Sequence, residues 1–190
     1  MAATARTGLD ETILHIARMG MVFIIVSLTG CIELINGHIF RLDVNYGGSS
    51  GYGRKYRERL LKRWGIVDTD DCVSSVQELS NQGKIDPEGV CIRGGSAGGF
   101  TTYAALSFGR YQGVFAAGTS IYGGVADLKS LTTKAEKFEL YYTEKFMGGT
   151  PQDVPWIYEE RSPITHAEDI KVPLMVRFTC CGMKTLIYEM

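Results

Sequence analysis

The chain has 190 residues, with 20 basic side chains against 21 acidic ones, 22% charged and 45% hydrophobic residues. The near-balance gives no reason to expect nucleic acid or an anionic membrane as partner, and the hydrophobic share fits a packed globular unit rather than a disordered chain. Five cysteines without a C-x-x-C spacing make neither a zinc site nor a disulfide framework, and the odd count fits reduced thiols in a cytoplasmic setting.

Met19 to Ile32 is an apolar run flanked by His15, Arg18 and Glu33. It falls short of the about 20 residues that a membrane-spanning helix needs. It also starts late for a signal peptide and follows Asp10 and Glu11. A buried helix or strand is expected, with an interfacial anchor as the alternative.

Ile39 to Tyr46 alternates as a strand does, and Gly47 to Gly53 is a loop that needs unusual backbone angles. Tyr56, Leu60, Leu61 and Trp64 then recur at helical spacing among Arg54, Lys55, Arg57, Arg59, Lys62 and Arg63. With Glu58 among them, these cations read as the solvated face of an amphipathic helix rather than a nucleic-acid surface. A second helix follows, capped by Asp68 or Thr69, with Cys72, Val73, Val76 and Leu79 as its buried stripe and Gly83 as its stop.

Asp86-Pro87-Glu88-Gly89 is a turn, Val90 to Ile92 a short buried strand, and Phe100 to Leu106 a helix packed behind it. Between them lies Gly94-Gly95-Ser96-Ala97-Gly98. A serine on so tight a strand-to-helix turn is held in a strained conformation that presents its hydroxyl, and the flanking glycines let the two elements approach. Farther on, Val114 to Ile121 reads as a strand, Lys137 to Met147 as a helix and Lys171 to Phe178 as a late strand. Strands alternating with helices predict an α/β class with a mainly parallel sheet and flanking helices.

Asp43 to Arg54, Trp64 to Asp68, Ile92 to Gly99, Tyr122-Gly123 with Ala126-Asp127-Leu128, and Arg161 to Ile164 follow one another along the chain. In this order they resemble the prolyl oligopeptidase family, in its acylaminoacyl peptidase and dipeptidyl aminopeptidase branch. The resemblance runs from about Leu42 to about Met175 and implies an α/β-hydrolase fold that cleaves peptides through an acyl-enzyme. It makes Ser96 the nucleophile and the Ala97 backbone N–H one oxyanion donor. Such a serine needs a histidine to take its proton, a carboxylate to orient the histidine and a second oxyanion donor.

Those partners are the point of departure. The family's Gly-x-x-Asp segment follows the strand seen here at Val172 to Phe178, yet this sequence has neither aspartate nor histidine after residue 178. The family's His-Gly-Gly-Pro loop, which precedes the strand at Leu42, is not found, nor is the β-propeller. The organisation expected is an unmatched segment over 1–38, a partial peptidase domain over 39–178 and a divergent tail over 179–190, with the fold apparently truncated at both ends.

His166, with Asp127 or Asp153, is the remaining candidate for a base, although a structural role fits its place better. His15 and His38 sit in the unmatched N-terminus. Tyr46, Tyr52 and Tyr122 can touch substrate or pack beneath loops. Glu136 and Glu139 read as a solvated helix face rather than an amine-binding pair. The sequence offers no metal-ligand cluster, no P-loop lysine and no dinucleotide fingerprint, so no cofactor is expected. The expected function is a serine-type peptidase with peptide substrates, free of metal, nucleic acid and membrane. The alternative is a catalytically silent truncated form, or a partner-binding one, whose uncovered apolar surface favours self-association.

Overall fold

The structure, a computed structural model, describes residues 22–26, 32–35, 39–121, 126–134, 137–180 and 183–189. Among the described residues seven strands form one sheet: β1 (Val22–Val26), β2 (Ile32–Ile35), β3 (Ile39–Asp43), β4 (Val90–Gly95), β5 (Ala117–Ile121), β6 (Leu174–Cys180) and β7 (Met183–Glu189). Their order is β2-β3-β1-β4-β5-β6-β7. The five inner strands are mutually parallel, while β2 and β7 run antiparallel at the two edges. The apolar run therefore yields a strand. Its Val-Phe-Ile-Ile-Val core has the β-branched and aromatic composition of a strand that neighbours flank on both sides. The tail expected to diverge also supplies a strand, β7, paired with β6 from Met175 to Cys180.

Among the described residues six helices connect or flank these strands: α1 (Arg54–Arg57), α2 (Val67–Asn81), α3 (Ala97–Ser107), α4 (Leu128–Lys134), α5 (Lys137–Met147) and α6 (Pro155–Glu160). The α2 stripe is as predicted, with Cys72, Val73 and Val76 buried and Leu79 packed partly against the core. Gly83, at φ 64, ends that helix. Central to the molecule is α3, in which every residue from Gly98 to Ser107 is buried. It lies on β4 and β5, with α2 and the 3-10 segment Pro163–Asp169 against its other sides. Small residues permit that fit. A Cβ on Gly118 of β5 would come within 2.5 Å of Leu106 Cδ1.

One predicted element is corrected. Residues 54–64 do not form an amphipathic helix. They make the single turn α1, a 3-10 turn at Glu58–Leu60 and then an irregular turn in which Lys62 has φ 60. No residue of α1 is buried. The reason lies far along the chain: Arg161 Nη1 donates to the carbonyls of Lys62 (3.0 Å) and Trp64 (3.4 Å), which a continuing helix would have occupied. Trp64 then turns inward, its ring 4.7 Å from Phe100 and edge-on to Tyr142 at 6.0 Å.

Phe100 is fully buried beneath that turn, and the Gly65 backbone rests on its ring edge. Phe100→Ala is expected to destabilise the chain by about 3–5 kcal/mol through the lost ring and the cavity left behind. Urea unfolding followed by tryptophan fluorescence measures this directly, since Trp64 packs against the deleted ring.

Candidate active site

Strand β4 ends at Gly95 and α3 begins at Ala97, so Ser96 alone makes the turn between them, at φ 52 and ψ −120. A left-handed backbone is unfavourable for a serine by roughly 1–3 kcal/mol and persists only where the surroundings impose it. Four contacts impose it here. The Ser96 N–H donates to the Ile121 carbonyl at the end of β5 (2.9 Å), while the Ser96 carbonyl accepts from the N–H groups of Gly99 (2.9 Å) and Phe100 (3.2 Å). The fourth is steric: a Cβ on Gly94 would sit 2.0 Å from the Gly98 carbonyl oxygen. Strand and helix thus touch backbone to backbone, and the serine is pushed out at the carboxyl edge of the parallel strands, where it is exposed. Ala97 opens the helix, where backbone N–H groups lack an intrahelical acceptor.

A buried carboxylate fastens this turn to its neighbours. Asp68 does not cap α2 from outside but lies within its first turn, 1% exposed. Its Oδ1 accepts from the Gly65 N–H (2.7 Å) and its Oδ2 from the Thr101 hydroxyl (2.8 Å). Thr101 also lies 3.2 Å from the Ala97 carbonyl, one turn back along α3. Burial pushes the Asp68 carboxyl up from 3.8 to about 6, opposed by these hydrogen bonds. Arg161, its own pKa lowered by burial, is a cation that feels the Asp68 charge. The sequence marks Asp68 as a possible cap and sets Asp68 and Arg161 in family-like stretches, but assigns no role to Thr101 or Arg161; Asp68 and Thr101 are signalled by being polar residues on otherwise buried stripes.

The glycine loop before α1 is tied down in the same way, its Gly47 N–H donating to Asp71 Oδ2 at 2.6 Å. Tyr46 is buried, and its hydroxyl is raised by desolvation and by Asp68, so it packs beneath the loop. Tyr52 is exposed and leans on Tyr56 at 5.2 Å. Tyr122, Glu136, His15 and His38 lie outside the described residues.

The remaining candidate partners are engaged in contacts of their own. Asp127 accepts from the N–H of Lys129 and the hydroxyl of Ser130, which caps α4, and Asp153 closes a turn with Thr150. His166 packs edge-on against Phe108 at 5.3 Å and contacts the Glu160 carbonyl at 2.9 Å. Phe108 follows the far end of α3, which places it about 18 Å along the helix axis from Ser96. The structure brings Ser96 and Ala97 together and leaves His166 at the opposite end of the helix.

The fold and this turn have clear relatives. The sequence profile of the prolyl oligopeptidase family matches residues 36–179. The dipeptidyl aminopeptidase BIII of Pseudoxanthomonas mexicana is 34% identical over 140 residues, 71% of this chain and 20% of that protein. The acylamino-acid-releasing enzyme of Arabidopsis thaliana is 29% identical over 71% of this chain and 18% of its own length. Among solved structures, a Mycobacterium tuberculosis puromycin-hydrolyzing peptidase is 40% identical, with a TM-score of 0.71 over 82% of this chain and 24% of that one. The chain thus spans about a fifth of the length of the curated relatives it matches.

Two substitutions test the geometry. Gly94→Ala would place its Cβ 2.0 Å from the Gly98 carbonyl oxygen, forcing strand and helix apart, and is expected to destabilise by about 3 kcal/mol or more, read as a lower denaturation midpoint. Asp68→Asn tests the buried carboxyl. The folded state holds the proton more tightly than the unfolded chain does. Its contribution is therefore largest below about pH 4, declines up to about pH 6 and is level above, a total of about 3 kcal/mol. The difference in unfolding free energy between wild type and Asp68→Asn should fall by that amount between pH 4 and pH 7.

Proposed function

The chain belongs to the prolyl oligopeptidase family, and on that premise we propose that Ser96 is the nucleophile of a serine peptidase that cleaves peptide or acyl-peptide bonds through an acyl-enzyme. The observation that carries this reading is the single non-glycine residue forced to φ 52 between β4 and α3, wedged out by the Gly94–Gly98 contact. A serine without a chemical task would give way there to glycine, which adopts that backbone freely.

Attack by the Ser96 hydroxyl on a peptide carbonyl would form the acyl-enzyme and expel the amine. The negative oxygen of the tetrahedral intermediate would meet the Ala97 N–H at the start of α3, a donor of the kind worth about 3 kcal/mol to the transition state. A general base must take the serine proton, and His166, the one histidine among the described residues, lies at the other end of α3. That placement favours a second reading, in which the chain retains the nucleophile elbow without turnover.

Fluorophosphonate labelling decides between the two. If Ser96 is an activated nucleophile, purified chain is labelled and Ser96→Ala is not. A folded sample that resists labelling, with circular dichroism showing native helix and strand content, leaves the silent form as the correct reading.

A further inference from the structure

The corrected segment after the glycine loop carries six cations and one carboxylate within ten residues, 54–63. On an amphipathic helix such crowding would be the ordinary outer face of a buried stripe, but α1 buries nothing. Arg54 pairs with Glu58, and Arg59 lies 3.8 Å from Asp71 and over the Tyr56 ring. Among the described residues Lys55, Arg57, Lys62 and Arg63 are exposed and have no carboxylate partner. Lys145 of α5 adds to the same field, since both it and Arg57 act on Glu58. Lys62 and Lys145 share the wall of a 460 Å³ cleft with Leu61, the exposed ring of Tyr141 and one acid, Glu144. Like charges at such density repel, and an anionic ligand relieves them.

The segment also has a fixed position relative to Ser96. Asp43 of β3 and Arg93 of β4 are both level with Ile25 of β1, the strand between them. Asn45 and Gly95, each two residues farther on, therefore leave the sheet at the same edge, about 10 Å apart by two strand spacings. The Tyr56 hydroxyl donates to the Asn45 carbonyl (2.7 Å), which pins the basic segment to that edge. About 10 Å is also one screening length at moderate salt, so charge there acts on whatever occupies the serine. An extended peptide covers it in about three residues.

We propose that the Arg54–Arg63 segment is a binding surface for acidic peptides, selecting substrates whose carboxylates lie about three residues from the bond presented to Ser96. The choice of substrate class rests on the reading of Ser96 as a peptidase nucleophile; the binding surface does not.

The test uses the full chain with Ser96→Ala, so that binding is read without turnover. Fluorescence anisotropy compares a labelled peptide rich in glutamate with its glutamine counterpart. The acidic peptide should bind about tenfold more tightly at about 50 mM salt, and the preference should vanish near 500 mM. Lys55→Glu with Arg57→Glu should abolish the preference, and the milder Lys55→Gln with Arg57→Gln should reduce it, circular dichroism being unchanged in both. Equal binding of the two peptides, or a preference that survives charge reversal, overturns the proposal. So does tighter binding of a single-stranded oligonucleotide, which would make the segment a general polyanion surface. Fluorophosphonate labelling of the wild-type chain is scored separately. Selective binding without labelling upholds the surface and removes the nucleophile.

Discussion

Everything at this site follows from two backbones that touch. Because position 94 has no side chain, the carbonyl of Gly98 can lie where a Cβ would otherwise be. That contact sets the angle at which α3 leaves β4, and the angle leaves Ser96 one conformation to adopt. The hydrogen bond from its N–H to Ile121 then fixes the turn against β5. Strain is thus held locally and sustained by packing, since α3 is buried along almost its whole length.

Asp68 extends the same logic outward. One carboxylate joins the Gly65 turn to the elbow helix, and Arg161 braces that turn from the opposite side. A buried carboxyl is an uneconomical way to hold two elements together, because desolvation opposes its charge. It is, however, directional. Two acceptor oxygens aimed at two donors define the orientation of α2 relative to α3, which apolar contact alone would leave looser.

Much of this was legible in the sequence because its signals are local. The β-branched run before a glycine-crowded turn located β4 and Ser96, and the helical periods located α2 and α5. The Lys137–Met147 helix has the bounds that its pattern predicts. What escaped was set by distant partners. Residues 54–64 carry a helical period, yet Arg161 captures their carbonyls and Trp64 is drawn under Phe100, so the helix stops after one turn. Likewise the tail past residue 179 carries no signal of its own, and β6 supplies the template on which it becomes a strand. The site was legible in its strained serine and not in its support, since Asp68, Thr101 and Arg161 come together only in three dimensions.

The brace at Arg161 also has a bearing on how the chain is made. Its guanidinium reaches back 99 residues to Lys62 and 97 to Trp64. On a ribosome adding about 5–20 residues each second, those carbonyls wait about 5–20 seconds for their donor. During that interval β4 and α3 are already synthesised, but the turn that supports them is open and Asp68 lacks its nearby cation. A nascent chain halted between residues 121 and 161 would therefore hold the elbow without its brace, a state in which chaperones or proteases meet Trp64 and Phe100 before the fold has covered them.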